Sequence, residues 1–241
     1  MDPFIWIVMI AIAGPVIGSA IGIIRMPTFG YICNMLCFAA GVMLAISFLE
    51  LIPESIAVSS AGISVLGLVI GALSMYALDK IIPHIHPRLC AQEQGCNLER
   101  TSVYLILGMF LHNFPEGMAI AIGSVTETKV SITIALAIAI HNIPEGICTS
   151  APYYHSTGKR MQAFLLSTCT AIPILLGYVT ARYFFQQLPA QVIGLLISAT
   201  AGLMIYITVD ELIPHSCIGT NHSTIFSLML GVVFVIFLGG L

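Results

Sequence analysis

Two short stretches of this chain concentrate side chains that could do chemistry. They are Leu111–Gly117, LHNFPEG, and Ile140–Gly146, IHNIPEG, the second beginning 29 residues after the first. Each places His, Asn and Glu inside an otherwise apolar segment. His112 and Glu116 are four residues apart, as are His141 and Glu145, so on a helix each pair projects from one face. Asn113 and Asn142 flank the same faces, three residues before their glutamates. Pro115 and Pro144 cannot donate a backbone hydrogen bond, which frees the carbonyls of Leu111 and Ile140 and predicts a bend in both helices. Two such helices read as two halves of one cation site.

The setting is apolar. Of 241 residues, 58% are hydrophobic and 8% charged, with a mean hydropathy of +1.02. A soluble domain carries about 25% charged residues. The chain therefore reads as an all-α, multi-pass integral membrane protein, with the plasma (cell inner) membrane as its expected location. The N-terminus, MDPFIW, lacks a positive n-region and a small-residue cleavage site, so the first apolar segment is expected to be a retained span. Basic residues are scattered, the longest run being Lys159-Arg160, which excludes a nucleic-acid patch. The seven cysteines fall mostly one per apolar segment and predict buried thiols rather than a disulfide framework.

A spanning helix needs about 20 mostly apolar residues. Eight stretches qualify: 4–24, 30–53, 62–83, 101–124, 130–150, 162–183, 191–214 and 223–241. The one sizeable hydrophilic connection is 84–100. With so little chain outside the membrane, 1–241 is expected to be a single domain. Lys and Arg favour cytoplasmic loops. Placing both termini outside puts Arg25, Lys80, Arg88, Arg100, Lys159 and Arg160 inside, against Lys129 and Arg182 outside. That balance sets the 84–100 loop in the cytoplasm. Gly14, Gly18 and Gly22, and Gly67 with Gly71, form stripes of small residues suited to close helix packing within the bundle. A longer echo links Glu50-Leu-Ile-Pro-Glu-Ser55 to Glu211-Leu-Ile-Pro-His-Ser216. It joins the second helix of the first three to the second helix of the last three. This predicts a 3+2+3 arrangement with inverted repeats, a transporter signature.

An ionised carboxylate at mid-membrane costs about 2.5–3.5 kcal/mol. No Lys or Arg stands at comparable depth to neutralise Glu116, Glu145 and Glu211. Two imidazoles and two carboxamides at the same level decide for a metal rather than protonated carboxylates. Imidazole and oxygen donors suit Zn²⁺, Fe²⁺, Mn²⁺, Co²⁺ or Cd²⁺, whereas Cu(I) wants sulfur. His112, Asn113, Glu116, His141, Asn142 and Glu145, with Glu211, exceed the four ligands of a structural zinc site. The surplus suggests two adjacent metal positions sharing Glu116 and Glu145. Neither H-E-x-x-H nor Glu-x-x-His occurs, and there is no P-loop, so neither a metalloenzyme nor an ATP-driven pump is expected. Among other polar residues, Glu50 could guide ions, Asp210 could bond a neighbouring helix, and Asp79-Lys80 reads as an interfacial pair. His84, His86, Cys90 and Cys96 lack zinc-finger spacing. His155, His215 and His222 read as solvated.

On these residues the chain resembles the ZIP (Zrt/Irt-like) family of divalent metal transporters, most closely its bacterial ZupT-like and GufA-like members. The resemblance covers eight spans, the hydrophilic loop after the third, and HNxPEG in spans four and five. It implies a binuclear site, with His112, Glu116, His141 and Glu145 on one metal. Asn113, Glu116, Asn142, Glu145 and Glu211 would hold the other. Some relatives carry Gln in place of His141 and Asp in place of Asn142, so no single relative's metal preference carries over. The resemblance further implies uptake of zinc toward the cytoplasm, elevator-type movement of one helix group against another, and a homodimer. The metal is cargo rather than cofactor.

Overall fold

The computed structural model describes residues 5–81, 98–126, 128–184, 188–216 and 222–239. Among them there is no strand; the chain forms eight continuous helical runs. These are α1 (Ile5–Gly22), α2 (Phe29–Val58), α3 (Ala61–Ile81), α4 (Leu98–Thr126), α5 (Thr128–Thr157), α6 (160–184), α7 (190–215) and α8 (His222–Gly239). Most of the 84–100 loop, with His84, His86, Cys90 and Cys96, lies outside the described residues. Four runs are long and apolar enough to cross a membrane: Ile5–Gly22, Phe29–Val58, Arg160–Tyr183 and Ala190–Leu212. Ala61–Ala77 and His222–Phe237 are shorter apolar helices.

Burial runs opposite to that of a water-soluble bundle. Phe226 is 70% exposed, Trp6 69% and Phe237 66%, while His112, Asn142, Ser167 and Thr208 are buried. An apolar exterior around polar interior positions is what a lipid solvent selects, since lipid offers no penalty to exposed Leu or Phe and no partner to a polar group.

The helices group into two compact units. The first holds α1, α4, α5 and α6; the second holds α2, α3, α7 and α8. Glycines set the closest approaches in each. In the first unit, a Cβ on Gly14 would fall 2.2 Å from Ala139 O, and one on Gly18 would fall 2.1 Å from Ile143 O. The stripe on α1 thus lies directly on the backbone of α5. The same contact recurs between α6 and α4, where a Cβ on Gly177 would meet Phe114 O at 1.9 Å. Ile143 and Phe114 hold the same place in the two HNxPEG motifs. The terminal glycine of each motif matches too: Gly146 opposes Pro15 O, and Gly117 opposes Ile174 O.

The second unit repeats this logic. Gly41 sits on Leu228 O and Gly231 on Phe38 O, joining α2 to α8; Gly202 sits on Leu68 O and Gly71 on Ala199 O, joining α7 to α3. Each half of the chain therefore builds the same crossings, with α1, α2 and α3 answered by α6, α7 and α8, and α4 by α5. The sequence echo is longer in three dimensions than ELIP. Ser47 and Thr208 occupy matching places and donate back to Met43 O (2.8 Å) and Met204 O (2.7 Å). Both are followed by a π-helical turn, Ser47–Leu51 and Thr208–Leu212, closed by Ile52 N–H to Ser47 O and Ile213 N–H to Thr208 O. Pro53 and Pro214 follow at once. Their rings would crowd the carbonyl four residues back, and a widened turn relieves that crowding.

Several expectations need correction. Cys33 is disulfide-bonded, whereas Cys37, Cys148 and Cys169 carry free thiols, so the cysteines are not uniformly buried thiols. Helix α5 runs to Thr157 instead of ending near 150. There Ser156 and Thr157 hydroxyls donate to Tyr153 O, and Gly158, at φ 68°, accepts the left-handed stop and returns its N–H to Tyr154 O. His155 is not solvated; its Nδ1 lies 2.7 Å from Pro27 O and the residue is half-buried. Lys80 stacks over the Tyr76 ring at 4.9 Å, a cation–π contact the sequence reading did not assign.

The glycine contacts make a direct test. Gly18→Ala drives a methyl into the Ile143 carbonyl, and overpacking against rigid backbone costs on the order of 1–3 kcal/mol. A Cβ on Gly62 meets nothing within 4 Å. Thermal unfolding in detergent should show a clear loss of Tm for Gly18→Ala and none for Gly62→Ala; equal Tm values would refute the close α1–α5 contact.

Candidate metal centre

The two motifs lie on α4 and α5, both within the first unit. Neither helix breaks at its motif proline: α4 continues past Pro115 to Thr126, and α5 past Pro144 to Thr157. Their placement depends on the neighbours that grip them from outside. Helix α1 holds α5 through Gly14, Gly18 and Gly146, and α6 holds α4 through Gly117 and Gly177. The glycines of the hexapeptides are packing residues, while His, Asn and Glu point into the interior.

Six expected residues come together in one buried cluster. His112 is fully buried, as are Asn142 and, nearly, Asn113; Glu116, His141 and Glu145 are at most 7% exposed. One ligating atom each from His112, Glu116, His141 and Glu145 can be chosen so that all lie within 4.8 Å of one another. His141 Nε2 is 2.8 Å from Glu116 Oε1, and His112 Nε2 is 2.9 Å from the same oxygen. His112 Nε2 also lies 3.4 Å from Glu145 Oε1. Asn142 Nδ2 donates to Glu116 Oε2 at 2.9 Å, and Asn113 Nδ2 donates to Thr170 O of α6 at 2.6 Å.

The unsatisfied atoms are as informative as the bonded ones. His112 Nδ1 and Nε2, Asn113 Oδ1, Asn142 Oδ1 and both carboxylate oxygens of Glu145 are buried without a hydrogen-bond partner. His112 Nε2 is thus close to two carboxylates without hydrogen-bond geometry to either. An orphaned buried polar atom costs about 1–3 kcal/mol. Here these atoms belong to four residues of one cluster, and all are of types that ligate metals. No Lys or Arg occurs in 101–126 or 130–158. The donor set of two imidazoles, two carboxylates and two amide oxygens suits a borderline divalent cation.

A layer of hydroxyls supports α5 behind the site. Ser167 Oγ of α6 contacts Ser19 Oγ of α1 at 2.6 Å and Thr149 Oγ1 of α5 at 2.5 Å. Gly146 O receives Ser150 Oγ (2.7 Å) and Ser167 Oγ (3.1 Å), and Thr149 Oγ1 bonds Glu145 O at 3.0 Å. Sequence reasoning missed this layer and the Thr170 carbonyl. Serines and threonines spaced along apolar helices, and Pro173 just after the turn, were the available signals.

The other expected residues belong to the second unit. Glu211 is buried on the π-turn Thr208–Leu212 of the second unit, with half-buried Asp210 beside it. Glu50 occupies the matching turn of α2 and is exposed. His222 opens α8 and is exposed; the side chains of Asp79 and His215 are outside the described residues.

Comparison with known proteins identifies the family. The family profile described as "ZIP Zinc transporter" matches residues 88–239. The chain is 35% identical to "Zinc transporter ZupT" of Enterobacter sp. (strain 638) over 216 residues, 86% of this chain and 83% of that protein. It is 33% identical to "Zinc transporter ZupT" of Salmonella newport (strain SL254) over the same shares. Most of the chain, including both HNxPEG helices, is thereby accounted for: this multi-pass membrane protein belongs to the ZIP family of zinc transporters.

Proposed function

We propose that the chain is a carrier that imports Zn²⁺ through the cluster on α4 and α5. Fe²⁺, Mn²⁺, Co²⁺ and Cd²⁺ are less selectively taken cargo. The observation that carries this reading is the convergence of four ligating groups within 4.8 Å, buried and with no Lys or Arg in the surrounding stretches 101–126 and 130–158. Two ionised carboxylates and one dication make a neutral centre, so the metal itself removes the cost of burying the charge. The relatives named as zinc transporters support the choice of ion.

In this reading His112, Glu116, His141 and Glu145 hold the first metal. Asn113 and Asn142 lend oxygens to a second position that shares both glutamates, with Glu211 as a further ligand on the strength of the resemblance. The weak amide donors keep affinity low enough for release. All eight runs cross the plasma membrane in a 3+2+3 order with inverted halves, and both termini lie outside. The two units form one transport domain over 1–241, and the site-bearing unit moves as a body. Homodimers are the proposed assembly.

Uptake of ⁶⁵Zn by proteoliposomes tests the assignment. Glu116→Gln removes the carboxylate nearest both imidazoles, and uptake should fall at least about a hundredfold, given that losing even an outer partner of a metal ligand costs 10–100-fold. Wild-type rates in the variant would sink the carrier reading. A competition panel should show Cd²⁺, Co²⁺, Fe²⁺ and Mn²⁺ inhibiting zinc uptake while Mg²⁺ does not, because Mg²⁺ prefers an all-oxygen octahedron. Inhibition by Mg²⁺ as strong as by Cd²⁺ would contradict an imidazole-containing site.

A further inference from the structure

The two HNxPEG motifs are nearly identical in sequence, yet their asparagines are anchored differently. Asn142 Nδ2 donates to Glu116 Oε2, a partner within the cluster. Asn113 Nδ2 donates out of the cluster, to the backbone carbonyl of Thr170 on α6. The assignment of nitrogen and oxygen is forced: a carbonyl can only accept, so at 2.6 Å it must face the NH₂ end of the amide. The opposite end, Asn113 Oδ1, is buried and has no hydrogen-bond partner.

The acceptor lies at a local irregularity. Helix α6 tightens into a 3₁₀ turn over Cys169–Ala171 before resuming as Ile172–Phe184. Pro173 accounts for it. Proline has no N–H to return to Cys169 O four residues back, and its ring crowds that carbonyl. Cys169 O instead takes the Ile172 N–H, the i+3 bond of a 3₁₀ turn. Thr170 is the middle residue of this turn, and its carbonyl, with two lone pairs, accepts Asn113. The corresponding contact of α1 on α5 has Gly14 and Pro15 in an unbroken helix, and there Asn142 turns to the carboxylate.

We propose that the 3₁₀ turn Cys169–Ala171 is a positioning element of the metal site: the Thr170 carbonyl holds the Asn113 amide so that its oxygen, not its NH₂, is the end offered to the cation. A terminal amide rotates about a soft torsion. Without the anchor it samples the reversed orientation, in which an NH₂ group would repel a dication. Helix α6 thereby acts on metal affinity with no side-chain ligand of its own. The inference rests on the proposed metal site of α4 and α5 and identifies what orients one of its ligands.

The test is a double-mutant cycle read by direct binding. Purified protein is titrated with Zn²⁺ by calorimetry, which reports affinity whether or not the protein carries zinc across a membrane. Pro173→Ala supplies the missing N–H and lets α6 regularise. Its Kd should rise about fivefold, the ratio expected for losing one hydrogen bond. In an Asn113→Ala background the same substitution should leave Kd unmoved, because the group it acts through is gone. A shift of equal size in both backgrounds would mean that the turn only supports the fold, and would overturn the proposal. Should Pro173→Ala fail to insert, lactic acid in place of Ala171 converts the Thr170 carbonyl to a weaker ester acceptor with no change of side chain. An unchanged Kd in that protein would overturn it as well. Failure of the carrier reading shows separately, as wild-type protein that binds Zn²⁺ but does not move it.

Discussion

Everything in the first unit answers to one electrostatic constraint: two carboxylates, Glu116 and Glu145, are buried within reach of the same imidazole nitrogen, in stretches (101–126 and 130–158) that carry no lysine or arginine. Like charges at such a distance repel, and burial removes the water that would screen them. Hydrogen bonds from His141 and Asn142 relieve Glu116 alone; both oxygens of Glu145 stay unpartnered. The arrangement is stable only with positive charge among these atoms. A dication satisfies the carboxylates, the imidazole nitrogens and the amide oxygens together, which no proton arrangement does for all of them.

Holding such a cluster calls for precise helix placement, and the chain achieves it through backbone contact rather than side-chain bulk. In a lipid environment burial of apolar side chains gives no drive for helices to associate, so close approach and polar bonds must do so. The α1 glycines lie against the carbonyls of Ala139 and Ile143, residues that bracket the second motif's His and Asn. Gly177 does the same at Phe114. Ser19, Thr149 and Ser167 then pin three helices at one point. A methyl added at the glycines would push the motif-bearing helix away from its support, so small residues outside the cluster set the spacing of its His, Asn and Glu side chains.

Much of this was legible in the sequence because the signals were periodic and duplicated. His and Glu four apart, twice, inside apolar helices, left few structural explanations, and glycines at four-residue spacing foretold close packing. The ELIP echo located both π-turns, although only the structure shows that Met43 and Ser47, with Met204 and Thr208, extend it. What stayed hidden depended on contacts between distant segments. The Asn113–Thr170 bond spans 57 residues and uses a backbone carbonyl, which no side-chain pattern announces. His155 looked like a loop residue because the bond to Pro27 O that half-buries it joins positions 128 apart.

Duplication also explains why the two motifs can do different work with the same letters. Glycine contacts at Phe114 and Ile143 keep the backbones of α4 and α5 equivalent, so the symmetry of the packing survives. The polar bonds do not share it. On one side α1 presents an unbroken helix, and Asn142 finds the nearest acceptor in Glu116; on the other, Pro173 opens α6 at Cys169–Ala171, and Asn113 bonds outward. Glu116 therefore carries three polar neighbours from the motifs while Glu145 keeps unpaired oxygens.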